Sequence, residues 1–220
     1  MGLCSLVIGL FYGVTAGYSR TIVDNIMMRI VDYLYGFPSL IVVILLQVYV
    51  KALGKRGAGG IAGALLALDK ALGGLLFLFI VLGMLNWLQM ARIARGLVLS
   101  LKRSEFIDSA RAVGASHMRI IFKHILPNIL GPCIVAVCME VPGYIFTEAF
   151  LSFLGLGVNP PIPSWGIMIA ETYTTLRSNP ILILGPAFAL SMTTLAFNFL
   201  GDGIRDALDP RMRGARALKW

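Results

Sequence analysis

The chain has 220 residues, 58% of them hydrophobic and 14% charged, with a mean hydropathy of +0.83, a balance that excludes an ordinary water-soluble domain. A formal net charge of +8 would suit nucleic acid, but the basic residues are not interleaved with exposed aromatics and sit between apolar runs, as positive-inside topology requires. Cys4, Cys133 and Cys138 lie in apolar runs at spacings that match no zinc pattern, so they read as buried packing residues.

Five apolar runs read as membrane-crossing helices, because a crossing of about 20 residues must satisfy its backbone internally. In chain order they are 1–17, 34–50, 72–90, 128–150 and 180–200. Neither an alternating barrel-type strand pattern nor a fixed-period repeat is visible. The first run begins at residue 1 without the basic flank of a signal peptide, so the chain is expected to start inside a larger structural unit.

Five crossings place 18–33, 91–127 and 201–220 on one side, and 51–71 and 151–179 on the other. The first side holds two, seven and five Lys or Arg residues in turn, and the second holds four and one. The basic side is read as cytoplasmic, which puts the C-terminus inside. Lys51, Lys55, Arg56 and Lys70 run against the bias. Beside them, GAGGIAGALLAL at 57–68 is too short to cross and reads as a flexible or surface-lying connector. The expected organisation is a first run with its loop over 1–33, a core over 34–200, and a cytoplasmic tail over 201–220.

The loop at 91–127 is too long for an ordinary helix connection. Met118, Ile121, Phe122 and Ile125 recur on one helical face, with Arg119, Lys123 and His124 off it, while Phe106, Ile107, Ala110 and Val113 form a shorter stripe. Ser104 is the expected N-cap of the first helix, with Glu105 in its first turn. Gly114 suits its C-terminus, and Ser116 caps the second helix. Pro127 has no N–H to donate and marks where the loop ends and the next span begins. Two such helices must cover their stripes with the membrane surface, their own spans or a docked partner, and the pattern alone leaves these open.

The stretch DSARAVGASHMRIIFKHILP at 108–127 resembles the EAA signature of permease subunits of ATP-binding-cassette importers, in which Glu-Ala-Ala, a glycine and a closing Ile-x-Leu-Pro form the helix that seats in the ATPase. The resemblance puts Asp108, Ser109 and Ala110 at the Glu-Ala-Ala positions, Gly114 at the glycine, and Leu126 and Pro127 at the end. Asp108, Ser109 and His124 depart from the general pattern. GYSRTIVDNIMMRIVD at 17–32, WLQMARIARGLVLSLKRSEFIDSARAVGAS at 87–116, EAFLSFLGLGVNPPIPSWGIMI at 148–169 and NFLGDGIRDALDPRM at 198–212 are similar, in that order, to the second permease subunit of dipeptide, oligopeptide and nickel importers.

That resemblance implies an all-α, polytopic type I importer permease fold, here with about five spans and without the family's usual first one. A fragment, a misplaced start or a degenerate, non-functional copy would each look so. It also implies a non-catalytic subunit without a cofactor, forming half of a pathway for peptides. The implied partners are a paralogous permease, two ATP-binding subunits and an extracytoplasmic substrate-binding protein. Nickel or another small solute is the alternative cargo. An ion-coupled secondary transporter would instead carry several intramembrane charges and an inverted repeat, neither of which is seen.

Glu140 lies mid-way along the fourth run, between Met139 and Val141. A charge at that depth costs roughly 3 kcal/mol or more and faces a water-filled cavity or a partner. Glu140 is therefore either a translocation-pathway contact, to a peptide amino terminus if the cargo is the one the resemblance implies, or half of a structural pair. Glu148 reads as interfacial, and Asn86, Trp87 and Gln89 as anchors at a cytoplasmic boundary. In NPPIPSW at 159–165 the prolines stiffen the outer loop, Ser164 caps a short helix and Trp165 prefers the interface; in the resembled family this face meets the binding protein. His117 and His124 read as polar-face residues, and Asp202, Asp206 and Asp209 as partners of the arginines between them. GxxxxGK[ST] and nucleophile motifs are absent.

Overall fold

The apolar runs become helices, and several outgrow the runs that announce them. The computed structural model describes residues 1–56, 60–159 and 161–208. Among these, all regular structure is helical: α1 Gly2–Tyr18, α2 Thr21–Tyr35, α3 Ser39–Arg56, α4 Gly60–Ala71, α5 Leu75–Leu101, α6 Glu105–Ala112, α7 His117–Arg119, a π turn Ile120–Ile125, α8 Leu126–Phe153, α9 Trp165–Thr172 and α10 Ile181–Leu208. Leu75–Leu101, His117–Phe153 and Ile181–Ala207 are each long and apolar enough to cross a membrane. The expected runs at 72–90, 128–150 and 180–200 lie largely inside these longer helices.

Two expectations are corrected. The run at 34–50 is cut after Tyr35 and resumes at Ser39, because Pro38 cannot donate a helical hydrogen bond and its ring disfavours helix at Phe37. In the 57–68 stretch, residues 57–59 lie outside the described residues, but Gly60–Ala71 is helix, as its leucines and alanines favour. At 17 residues, α1 is shorter than a full crossing.

The chain divides into two compact units. One contains residues 2–37, 84–139 and the described residues from 200. Its core joins Leu10 and Val14 of α1, Met90, Ala94 and Val98 of α5, Ile107 of α6, and the line Ile120, Ile125, Ile129 and Cys133. Gly9, Gly13 and Gly17, four residues apart, are what lets α1 approach α5. A Cβ added at Gly9 would fall 2.5 Å from Met90 Cβ, and one at Gly13 2.7 Å from Ala94 Cβ. This is the small-residue packing that apolar helices use when lipid supplies no hydrophobic drive between them. Trp87, expected as an interfacial anchor, packs edge-on against Tyr12 at 4.9 Å instead.

The other unit contains residues 38–83 and 140–199. Gly73 and Gly74, at φ +66° and +83°, take the left-handed conformations that turn α4 into α5. Gly74 N–H donates to Asp69 O at 2.8 Å, and the Asp69 carboxylate accepts from Phe77 N–H at 3.0 Å. Asn159 N–H donates to Gly73 O at 2.6 Å, tying the segment after α8 to this turn.

Candidate functional site

The loop signature at 108–127 folds from its own local signals. α5 continues well past the expected boundary at 90, to Leu101, because Ala91, Ala94 and Val98 are fully buried. Ser104 stands at the N-cap of α6, as expected, but its hydroxyl turns back to donate to Leu101 O at 2.6 Å and caps nothing. After Ala112 the chain reverses at Gly114, whose φ of +83° suits glycine because a Cβ resists the left-handed region. Ser116 then caps the next helix, its Oγ accepting from Arg119 N–H at 3.4 Å.

Pro127 stands at the start of α8, but no break marks the join, and the helix runs on from His117 to Phe153. Ahead of the proline the ladder widens into the π turn, where Leu126 N–H reaches back five residues to Ile121 O. Asn128 Nδ2 takes the His124 carbonyl at 2.6 Å. A widened turn followed by a side-chain donor lets the chain pass a proline without a break. The same widening changes the buried face. Ile120 and Ile125, five apart, are buried, whereas Met118 is 62% and Phe122 51% exposed. On α6 only Ile107 is buried and Phe106 is exposed; Val113, the residue just past its end, is 90% exposed.

The loop residues that match the signature are mostly exposed. Asp108 is exposed and pairs with Arg111 at 3.0 Å. Ser109 Oγ donates to Glu105 O at 2.9 Å, and Ala110 is half-buried. Gly114 forms the turn, and Leu126 and Pro127 sit at the join of π turn and α8. What remains outward is a short helix with bare apolar residues at Phe106 and Val113.

Beneath the loop lies a scaffold that the sequence reading missed. Arg95 forks onto Asp24, Nε to Oδ1 at 2.5 Å and a terminal nitrogen to Oδ2 at 2.7 Å. Asp24 is buried, so this is a bidentate pair in a poorly solvated place. Arg92 reaches Asp32 at 2.7 Å and lies 4.3 Å from the Tyr35 ring centre. Lys102 Nζ donates to the carbonyls of Tyr18 and Ser19 at 3.0 and 3.2 Å, a cation on the exposed carbonyl end of α1. His117 Nδ1 meets the Tyr18 hydroxyl at 3.0 Å. Acidic residues inside the basic blocks at 18–33 and 91–127 were the available signal. The pairs are 71 and 60 residues apart in sequence, so spacing did not reveal them.

In the other unit, Glu140 sits partly buried in α8. Its Oε2 accepts from the Tyr144 hydroxyl, and its Oε1 is buried without a hydrogen-bond partner among the described residues. Gln47 of α3, 2% exposed, has an equally unpartnered Nε2. Buried polar atoms left unpaired cost about 1–3 kcal/mol each. At the C-terminal end, Arg205 pairs with neither Asp202 nor Asp206, contrary to expectation; all three are exposed, where solvent makes such pairs nearly worthless. Asp209 lies outside the described residues.

A family model described as "Binding-protein-dependent transport system inner membrane component" matches residues 8–214. The chain belongs to that family. It is an all-helical, multi-pass inner-membrane protein with the permease fold. It is 41% identical over 209 residues to the oligopeptide transport system permease protein OppC of Haemophilus influenzae, covering 95% of this chain and 60% of that protein. It is 42% identical over 212 residues to the dipeptide transport system permease protein DppC of Bacillus subtilis, covering 96% and 60%. The chain thus spans about three-fifths of the length of these curated relatives. A solved structure of the MetNI methionine ABC transporter, inward facing, superposes with a TM-score of 0.63 at 19% identity over 94% of this chain and 89% of that one, a likeness of fold.

Proposed function

We propose that this chain is the transmembrane permease subunit of an ATP-driven importer, forming half of the translocation pathway for dipeptides or oligopeptides. It has no catalytic role of its own. The 104–127 loop receives the motion of a separate ATP-binding subunit, with Asp108, Ser109, Ala110, Gly114, Leu126 and Pro127 shaping the docked surface. A paralogous permease completes the pathway, two ATP-binding subunits drive it, and an extracytoplasmic binding protein delivers peptide. The C-terminus is on the cytoplasmic side with the loop.

The observation that carries this reading is the bareness of α6. An exposed helix bearing Phe106 and Val113, stopped by a glycine turn and founded on buried Ile107, is built to be covered by another protein. Kinship with peptide permeases supports the cargo. On this reading Glu140 lines the pathway, where its unpaired oxygen suits a peptide ammonium, and Gln47 offers a donor to a peptide carbonyl.

The test is reconstitution with the ATP-binding subunits and binding protein. ATP-dependent peptide uptake by the unsubstituted complex, abolished by Gly114→Trp while the chain still inserts, is the expected result. Normal uptake by Gly114→Trp would sink the coupling assignment.

A further inference from the structure

We infer that Glu148 is the positioning residue of the outer loop. One of its carboxylate oxygens, acting through two serine hydroxyls, holds the turn after α8 and the start of α9 in place. The inference rests on the permease reading for its functional consequence, but the latch itself is a matter of hydrogen bonds.

Glu148 Oε1 accepts from Ser152 Oγ at 2.6 Å and from Ser164 Oγ at 3.0 Å. A hydroxyl has a single proton, and both serines spend it on the carboxylate. Each hydroxyl oxygen also accepts from backbone. Ser152 Oγ takes Val158 N–H at 3.2 Å, and Ser164 Oγ takes Gly166 N–H at 3.2 Å, capping α9. Ser104, whose hydroxyl donates to the Leu101 carbonyl, makes no cap, while Ser116 caps without a carboxylate, so what Glu148 supplies is a fixed position for the two hydroxyls. One carboxylate therefore organises two backbone donors that are otherwise unrelated.

Packing closes the arrangement. Ser152 and Val158 are buried. A Cβ at Gly166 would fall 2.9 Å from Ala149 Cα, and one at Gly157 2.7 Å from Ser152 Cα, so both segments lie directly on the α8 backbone. Lys51 Nζ donates to Gly155 O at 2.8 Å, fastening the same turn from α3. Beside Glu148 a cavity of about 430 Å³ is lined by Leu75, Phe79, Val158, Ile162 and Trp165, and its shape depends on where the latch holds the loop. Placed at the mouth that meets binding protein and peptide, the latch would set the presentation of α9.

The experiment introduces Val158→Cys into the full chain in the assembled importer in membranes, and follows maleimide labelling at position 158 by peptide mass spectrometry, which separates it from Cys4, Cys133 and Cys138. With Glu148 intact the thiol is protected. Glu148→Ala is expected to speed labelling about tenfold, and Ser164→Ala by a smaller factor, since a lost cap and its acceptor loosen the segment. Glu148→Gln keeps an acceptor oxygen and restores protection. In uptake, Glu148→Ala raises the half-saturating concentration of loaded binding protein about tenfold while the maximal rate is kept.

Equal labelling with and without Glu148 overturns the inference. If Glu148→Ala is not recovered in membranes, Ser152→Ala and Ser164→Ala decide by the same labelling. Protection that follows Glu148, in a complex whose unsubstituted form shows no ATP-driven uptake, upholds the latch and overturns the permease reading.

Discussion

The two short helices α6 and α9 are built from the same parts and are left in opposite states. Each has eight residues and a serine at its N-cap. Ser164 makes its cap while its hydroxyl donates to Glu148, and Gly166 is pressed onto α8 backbone. Ser104 makes no cap, and α6 keeps Phe106 and Val113 exposed. The difference lies in anchoring: α9 is capped and pressed onto α8, whereas α6 is uncapped and followed by the bare Val113, although each helix keeps one large apolar side chain exposed, Phe106 on α6 and Met168 on α9. Substitutions at the two should therefore divide, with loss of stability at α9 and loss of partnership at α6.

The largest effect is expected at the turn that aims α6. Gly114→Trp should lower reconstituted uptake by on the order of a hundredfold, because a misaimed contact forfeits productive geometry. Insertion should be unchanged, since nothing in the structure crowds this glycine. Measured uptake within twofold of normal would remove α6 from the coupling path.

Next comes the scaffold under the loop. Asp24→Ala leaves Arg95 half-buried without its fork, and should cost about 3 kcal/mol, read as a lower melting temperature of the purified chain. A double-mutant cycle with Arg95→Ala should recover part of that loss. Simple additivity would show that the pair carries no coupling.

A matched pair of valines sharpens the comparison directly. Val158→Asp puts a charge into the buried outer turn and should cost about 2 kcal/mol or more, whereas Val113→Asp, at a 90% exposed position, should stay within about 0.5 kcal/mol. Val113→Asp should nevertheless lose co-purification with the ATP-binding subunit. Retained capture would leave the bare face of α6 without a partner.

The smallest effect is the cleanest contrast. Ser164→Ala should cost about 1 kcal/mol through a lost cap, while Ser104→Ala, whose hydroxyl caps nothing, should cost about half that or less. Equal losses would erase the distinction between the two N-termini.

Much of this was legible in the sequence because it is local. Apolar runs located the long helices, Gly114 and Ser116 located the turn and the second cap, and Ser164 located the start of α9. What stayed hidden was set by packing between distant segments. α5 runs past residue 90 because its alanines meet the glycines of α1, and Asp24 finds Arg95 across 71 residues. The stripe at Met118, Ile121, Phe122 and Ile125 assumed 3.6 residues per turn, and the π turn does not keep that period. Glu148 looked like a lone boundary charge because its two serines lie four and sixteen residues on, one of them across a loop.

The π turn also makes the chain sensitive to insertion and deletion. Its buried residues Ile120 and Ile125 are separated by one residue more than an α-helix needs. Deleting one of the exposed residues between them, such as Lys123, would keep the buried line Ile120, Ile125, Ile129 and Cys133 on one face, but it would close the widened turn that lets the helix pass Pro127 and set the proline ring against the carbonyl four residues before it. Adding a residue would swing that face by about 100° and break it. At this joint the burial face and the proline together fix the length, and a chain that loses the extra residue should also lose the proline.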